Sequence, residues 1–339
     1  MIRLFRPSFN RFPVKRLSNA LRGPVIGINF GFTNSSVAIL EDRKAKVLKN
    51  DEGSILTPSV VAFTKDDEIL VGAPAIRQSV LNSQNTIFGI KRLSGRKYDE
   101  KEVLDFIKDV PYKIIKSSNG DAWIETQNNI YSPPQLASFI LTKLKKTAEN
   151  YLNKKVRDAI VTVPAYFNDS QKKLIKYACK LANINVIRVF DESTAAAFAY
   201  CLYSTTVVIN LGGGTFDLSI LKEEDDDYEV ISTYGDSFLG GINFDNAIVN
   251  YLVDEFKREN GIDLSLDQIA MQRLRESAEK AKCELSSSIK TSIILPYIFV
   301  DIGGPMHLNM KLSRSKFEEL AANLIQRIEE ACKKSNGKC

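Results

Sequence analysis

Apolar and polar positions along the chain fall into a pattern that occurs twice. Val25–Phe30 is a short apolar run broken by Gly31, and Ser36–Leu40 follows as a second run, which predicts a β-hairpin turning through Gly31–Ser35. Strands are expected near Ser59–Thr64, Ile69–Val71, Ala159–Val163 (ended by Pro164) and Val186–Phe190. Pro133–Leu152 reads as a helix: two prolines suit its first turn, and Leu136, Ile140, Leu141, Leu144 and Ala148 recur at helical spacing. Asp169–Ala182 reads as another, with Asp169 placed as its cap, and Thr194–Tyr200 as a small-residue helix.

Then the opening pattern returns. Thr206–Leu211 is an apolar run, Gly212–Gly214 a tight turn and Thr215–Leu221 the next strand, so that TVVINLGGGTFDLSI repeats the plan of VIGINFGFTNSSVAI. The acidic EEDDD at 223–227 reads as a solvated hairpin turn rather than a metal site, and Gly240-Gly241 as another tight turn. Helices are expected over Phe244–Glu259 and Asp267–Ser287, strands over Ile289–Leu295 and His307–Leu312, and a last helix from Ser315.

With 339 residues, 44% hydrophobic and 26% charged, the chain has room for two domains with real cores. No apolar run is long enough to span a membrane as a helix. The net charge of +5 points to nucleic acid until it is located. Residues 1–22 hold Arg3, Arg6, Arg11, Lys15, Arg16 and Arg22 and no acid, so the body of the chain is close to neutral and a nucleic-acid-binding body is excluded. An acid-free, arginine-rich start is the composition of a mitochondrial presequence, although Pro7 and Pro13 interrupt a long amphipathic helix; the alternative is a basic extension with no address, leaving the chain cytoplasmic. Five widely spaced cysteines and the single His307 give neither a disulfide framework nor a zinc-ligand spacing.

Two glycine-bearing hairpin turns with a threonine beside the glycines suggest a phosphate group held from both sides, because glycine lets backbone amides approach phosphate oxygens. Glycines are also common in hairpin turns of no function. The fuller strings carry more. IGINFGFTNSSVAI, NDEGSILTPSVVAF, NTIFGIKRLSGR, TVPAYFNDSQ, DESTAAAFAY, NLGGGTFDLSI, LGGINFD and AMQRLRESAEKAKCELSS resemble, in collinear order over roughly residues 24–335, the 70-kilodalton heat-shock protein (DnaK-type chaperone) family. NGDAW at 119–123 and PPQ at 133–135 are similar to its bacterial and mitochondrial branch, which agrees with the tail and with a mitochondrial matrix location.

The resemblance implies an α/β, two-lobed actin-like (ribonuclease H-like) ATPase fold, with a first nucleotide-binding lobe over 24–205 and a second, incomplete one over 206–339. It implies ATP or ADP with Mg2+, and K+ as a further ion. Gly31, Thr33 and Asn34 match the first phosphate loop, and Gly212, Gly213, Gly214 and Thr215 the second, with Gly240 and Gly241 behind it. Lys91 matches the lysine that reaches the terminal phosphate; the alternative from the residues alone is an exposed lysine beside Arg92. Glu192 matches the carboxylate that organises magnesium-bound water, or it caps the helix at Thr194; Asp217 matches an acid near the monovalent ions. Glu279, Lys282 and Ser286 match adenosine-contacting positions, and their spacing puts them on one helical face.

The sequence departs from the family at positions that matter for chemistry. Asn29 and Asn210 stand where the resemblance places aspartates beside the phosphates; asparagine keeps the shape, loses the charge and accepts no proton. Phe32 replaces a threonine, Ser193 a proline, Lys172 an arginine, and Ile242 an acid. The peptide-binding domain that the resemblance implies has no counterpart within residues 1–339. Two functions remain open: a chaperone ATPase region coupling nucleotide to unfolded polypeptides, J-domain proteins and exchange factors, with impaired hydrolysis, or a non-catalytic interaction module that binds co-chaperones or partner subunits. A third reading is a truncated product without dedicated activity.

Overall fold

The computed structural model describes residues 23–42, 44–200, 204–224 and 227–336. The expected presequence, the centre of the acidic turn at 223–227, Cys201 and Cys339 lie outside the described residues.

The chain runs β1 (Val25–Asn29), β2 (Asn34–Glu41), β3 (Lys44–Val47), β4 (Thr57–Pro58), β5 (Val61–Phe63), β6 (Ile69–Val71), α1 (Ala73–Arg77), β7 (Thr86–Ile87), α2 (Ile90–Leu93) and α3 (Lys101–Asp109). It continues through β8 (Lys113–Lys116), β9 (Ala122–Glu125), β10 (Ile130–Tyr131), α4 (Pro133–Leu152), β11 (Asp158–Val163), α5 (Asp169–Leu181), β12 (Asn185–Asp191) and α6 (Glu192–Tyr200). After these come β13 (Thr206–Leu211), β14 (Phe216–Glu224), β15 (Asp227–Asp236), α7 (Gly241–Asn260), α8 (Gln268–Leu285), β16 (Lys290–Asp301), β17 (Gly304–Ser313) and α9 (Arg314–Asn336).

The main sheet runs β12-β11-β1-β2-β3, with β4 paired to β2. β1 is central, parallel to β11 and antiparallel to β2, so Ile28 lies between Val161 and Val37. Ile26 and Ile28 are buried, and one core cluster gathers them with Leu136, Ile140, Leu141 and Leu144 of α4. That helix forms where the periodicity predicts it. Ser132 and Gln135 close a capping box before its prolines, the Ser132 amide donating to Gln135 Oε1 at 2.9 Å.

Helix α5 corrects one expectation. Its cap is Asn168, whose side-chain oxygen accepts the Gln171 amide at 2.9 Å; Asp169 is the first helical residue and supplies charge to the first turn. Helix α6 likewise starts two residues earlier than expected, at Glu192, which is therefore not the cap of a helix beginning at Thr194. The expected strand ending at Leu295 continues through Pro296 as β16, with a register shift between Leu295 and Phe299 that accommodates the proline. Helices α1 and α3 and the β8–β10 sheet have no counterpart among the elements expected from the pattern.

The elements from β14 onward form two smaller cores. Helices α7 and α8 pack with the β16–β17 hairpin, and α9 lies against β14 and β15, where Leu324, Ile328 and Ala331 meet Phe216, Leu218 and Ile220. The sheet order is β13-β14-β15, leaving β13 at an edge among the described residues. The architecture is the mixed α/β, actin-like plan expected, with the β1–β2 and β13–β14 hairpin turns meeting above a cleft.

Candidate functional site at the meeting of two hairpin turns

The first turn, between β1 and β2, is braced from behind. The Gly31 amide donates to Ser35 Oγ at 3.2 Å, Ser35 and Ser59 share a 2.8 Å bond, and Ser59 gives its hydroxyl to the Gly31 carbonyl and its amide to the Thr33 carbonyl. The second turn, between β13 and β14, is held by its carbonyls. Gly212 accepts from the Gly241 amide at 2.9 Å, Gly213 from the Ile242 amide at 2.7 Å, and Gly214 from Arg92 Nη2 at 3.0 Å. With its carbonyls tied back, the Gly213 and Gly214 amides donate to no protein acceptor among the described residues. That arrangement suits an anion.

The two turns touch. A Cβ on Gly213 would sit 1.7 Å from Thr33 Oγ1, and one on Gly214 would sit 2.4 Å from the Phe32 ring, so only glycine fits at either position. Gly240 closes on Gly214 from the other side, where a Cβ would approach its backbone to 2.5 Å.

Below the turns, Lys91 of α2 pairs with Glu192 at 2.9 Å, with side-chain exposures of only 3% and 16%. Burial rules out the exposed-lysine alternative. Asn210 Nδ2 donates to the other Glu192 oxygen at 3.1 Å, and Asn29 Oδ1 accepts the Thr162 hydroxyl at 3.2 Å. Both Glu192 oxygens are thus engaged, and the two asparagines are part of the hydrogen-bonded floor.

A cavity of about 540 Å3 joins these groups. Asn29, Gly31, Thr33, Asn34, Lys91, Glu192, Asn210, Gly212, Gly213 and Thr215 line it, and Glu279 and Lys282 of α8 form its far wall. Gly214, Gly240 and Gly241 support the second turn from behind instead of lining the cavity. Ser286 is not among the residues that line the cavity; it is the exposed C-cap of α8, still with helical backbone angles, and its amide bonds back to the Cys283 and Glu284 carbonyls. Asp217 is buried on β14 outside the lining, with no side chain among the described residues hydrogen-bonded to its carboxyl and the Ala165 backbone beside it. Its carboxyl is pushed up to about 7, first by burial and then by the Glu192 charge.

Several lining residues carry no sequence signal. Asp245 of α7 holds Lys282 at 2.8 Å, and Ser79 of the first lobe donates to Glu276 of α8 at 3.0 Å across the mouth of the cleft. Such partners lie 37 and 197 residues apart and form no motif.

The residues fit a nucleotide better than they fit a metal alone. Glycine contacts and unbonded amides make a phosphate cradle, whereas no group of three His, Cys, Asp or Glu side chains suited to a metal ion occurs among the described residues. Asp217 is a buried carboxyl whose charged form burial disfavours, so a cation beside it would favour ionisation.

A family model described as Hsp70 protein matches residues 25–336. Among curated relatives, heat shock protein hsp-6 of Caenorhabditis elegans is 56% identical over 326 residues, covering 95% of this chain and 50% of its own length. The chain therefore spans about half the length of the curated relative it matches. With a family match over nearly its whole length and a nucleotide-sized cleft between two glycine turns, the chain belongs to the Hsp70 family of chaperones.

Proposed function

We propose that the cleft binds ATP or ADP with its phosphates between the Gly31–Asn34 and Gly212–Thr215 turns, and that this chain turns ATP over slowly. The first lobe in this reading covers 24–205 and the second 206–339. The observation that carries it is the contact of Thr33 with Gly213 above the Lys91–Glu192 pair.

Each residue has a role that follows from its chemistry. The Gly213 amide and the Thr33 and Thr215 hydroxyls donate to phosphate oxygens; Gly214 keeps the second turn in register, and Asn34 completes the first turn. Lys91 brings a buried positive charge to the terminal phosphate, held in place by Glu192. Glu279 and Lys282 face the adenosine, and Gly240 and Gly241 keep the second turn in shape. Magnesium, when bound, neutralises phosphate oxygens and polarises water; Glu192 is the cleft carboxylate suited to its water shell, and Asp217 suits K+.

Slow turnover follows from the two asparagines. Neither takes a proton from an attacking water, and neither adds negative charge beside the metal. Restoring the carboxylates is worth a few kcal/mol of transition-state stabilisation, or about 100-fold in rate. A chain that hydrolyses nucleotide poorly can still bind it. It therefore serves either as the regulatory region of a chaperone for unfolded polypeptides or as a non-catalytic module. Asn210 favours the second, because its amide occupies an oxygen of the one cleft carboxylate placed to organise magnesium-bound water. In both, J-domain proteins and nucleotide exchange factors are the partners, and the acid-free tail directs the chain to the mitochondrial matrix.

Calorimetric titration of ATP and ADP into the chain, with and without magnesium, tests the reading. Saturable binding is expected, together with a gain in turnover of about 100-fold in the Asn29→Asp/Asn210→Asp variant. No heat from a sample that melts cooperatively would sink it.

A further inference from the structure

Arg92 follows Lys91 directly and points the other way. Its side chain is 2% exposed, and no carboxylate pairs with it among the described residues. A buried charge without a counter-ion is costly unless neutral groups compensate it. Here Nη2 donates to the Gly214 carbonyl at 3.0 Å and to Asn243 Oδ1 at 2.9 Å, and Nε donates to the Ser237 carbonyl at 3.1 Å. The rings of Phe32, Phe106 and Phe238 surround the guanidinium at 5.0, 5.2 and 5.0 Å.

All three acceptors lie in the second lobe, whereas Arg92 sits on α2 of the first. One helical turn therefore presents Lys91 to the cleft and, one residue later, grips the turn that faces it. Gly214 is caught between that grip on its carbonyl and the Phe32 ring on its α-carbon. Asn243, the third residue of α7, accepts from Arg92 and also from the Gly240 amide at 3.1 Å, so the same fork reaches the support behind the second turn.

We propose that Arg92 is a positioning residue: it fixes the Gly212–Thr215 turn against the α2 turn that carries Lys91, and so sets the spacing between the groups that hold the phosphates. This rests on the nucleotide reading above. It requires a planar fork, because its donors must reach three fixed acceptors at once. Lysine keeps the charge and loses that geometry.

The test compares ADP with AMP by calorimetry, in the full chain and in its Arg92→Lys and Asn243→Ala variants, with thermal melts of each. AMP lacks the outer phosphate that the two turns would share. In Arg92→Lys, ADP affinity should fall by about 30-fold and AMP affinity by no more than about 3-fold; Asn243→Ala, which removes one acceptor, should show the same selectivity at about 5-fold. Equal losses for both nucleotides alongside a lowered melting temperature would mean that Arg92 only stabilises the fold, and would overturn the proposal. Should Arg92→Lys fail to fold, the selectivity of Asn243→Ala decides. Wild-type binding of ADP with unchanged selectivity in the variants would refute the positioning role alone. A wild-type chain that binds no ADP would remove the nucleotide reading as well.

Discussion

The two hairpins share a sequence plan, yet they live in different surroundings. β1 has neighbours on both sides and buries Ile26 and Ile28 almost completely. β13 has β14 on one side only among the described residues, and its Val207, Ile209 and Leu211 remain 53%, 56% and 46% exposed. These three share the sheet face on which α9 covers Phe216, Leu218 and Ile220, but α9 reaches β14 and β15 instead. The turns are held correspondingly. The first is knitted by serines of its own lobe, and the second is gripped from across the cleft by Arg92 and from below by α7. The same local plan thus gives a turn built into a rigid sheet and a turn whose position depends on tertiary partners. Local sequence sets the turn's chemistry, and packing sets its stiffness.

The largest effect expected from that difference is in the strands themselves. Ile28→Ala empties a site closed on every side and should destabilise the chain by about 3 kcal/mol, whereas Ile209→Ala, on the equivalent strand, should cost under about 1 kcal/mol. Urea denaturation of both variants measures the contrast. Equal losses would show that the β13 face is covered in solution and that the asymmetry is false.

A smaller effect tests the turns. Gly214→Ala forces a methyl group into the Phe32 ring, which Arg92 backs, so the ring has little room to yield. Nucleotide affinity should fall by about 30-fold, within the 1–3 kcal/mol typical of overpacking. Phe32→Leu combined with it should recover much of the loss by removing the ring face. Recovery by that second change, read as a double-mutant cycle, distinguishes a steric clash from lost backbone freedom. Full additivity of the two substitutions would deny that the turns touch.

How much of this is legible along the chain follows the same division. α4 can be read over its whole length because prolines, a capping box and an apolar stripe all point to one helix. The cap of α5 is misplaced by one residue because Asn168 and Asp169 are both good caps, and only the Gln171 bonds choose between them. The β8–β10 sheet, built from strands of two to four residues, offers no period long enough to detect. In the site, glycines and threonines announce both turns, and Lys91 and Glu192 stand out through the motifs around them. Ser59, Arg92, Asp245 and Glu276 do not. Each acts on a partner far along the sequence, and nothing in its own neighbourhood marks the pairing.

The smallest expected effect lies at the wall of the cleft furthest from the turns, where Asp245 holds Lys282. Burial raises the Asp245 carboxyl to about 6 from 3.8, outweighing the Lys282 bond that lowers it. Between about pH 4 and 6 the folded chain therefore keeps a proton that the unfolded chain has released. Stability attributable to this group is greatest at low pH, falls as pH rises through that window, and stays low above it. A proton held by one state alone changes stability by at most about 1.4 kcal/mol per pH unit, and water in the open cleft screens the charge, so the whole fall should be about 1.5 kcal/mol. Asp245→Asn abolishes the titration, so the variant's stability relative to wild type should rise by that amount between pH 4 and 7, whatever constant penalty it bears for losing the ion pair. Urea midpoints of the two proteins across that range measure the difference directly. A parallel pair of curves would mean that Lys282 fully compensates the buried charge, and that the far wall of the cleft is as firmly held as its floor.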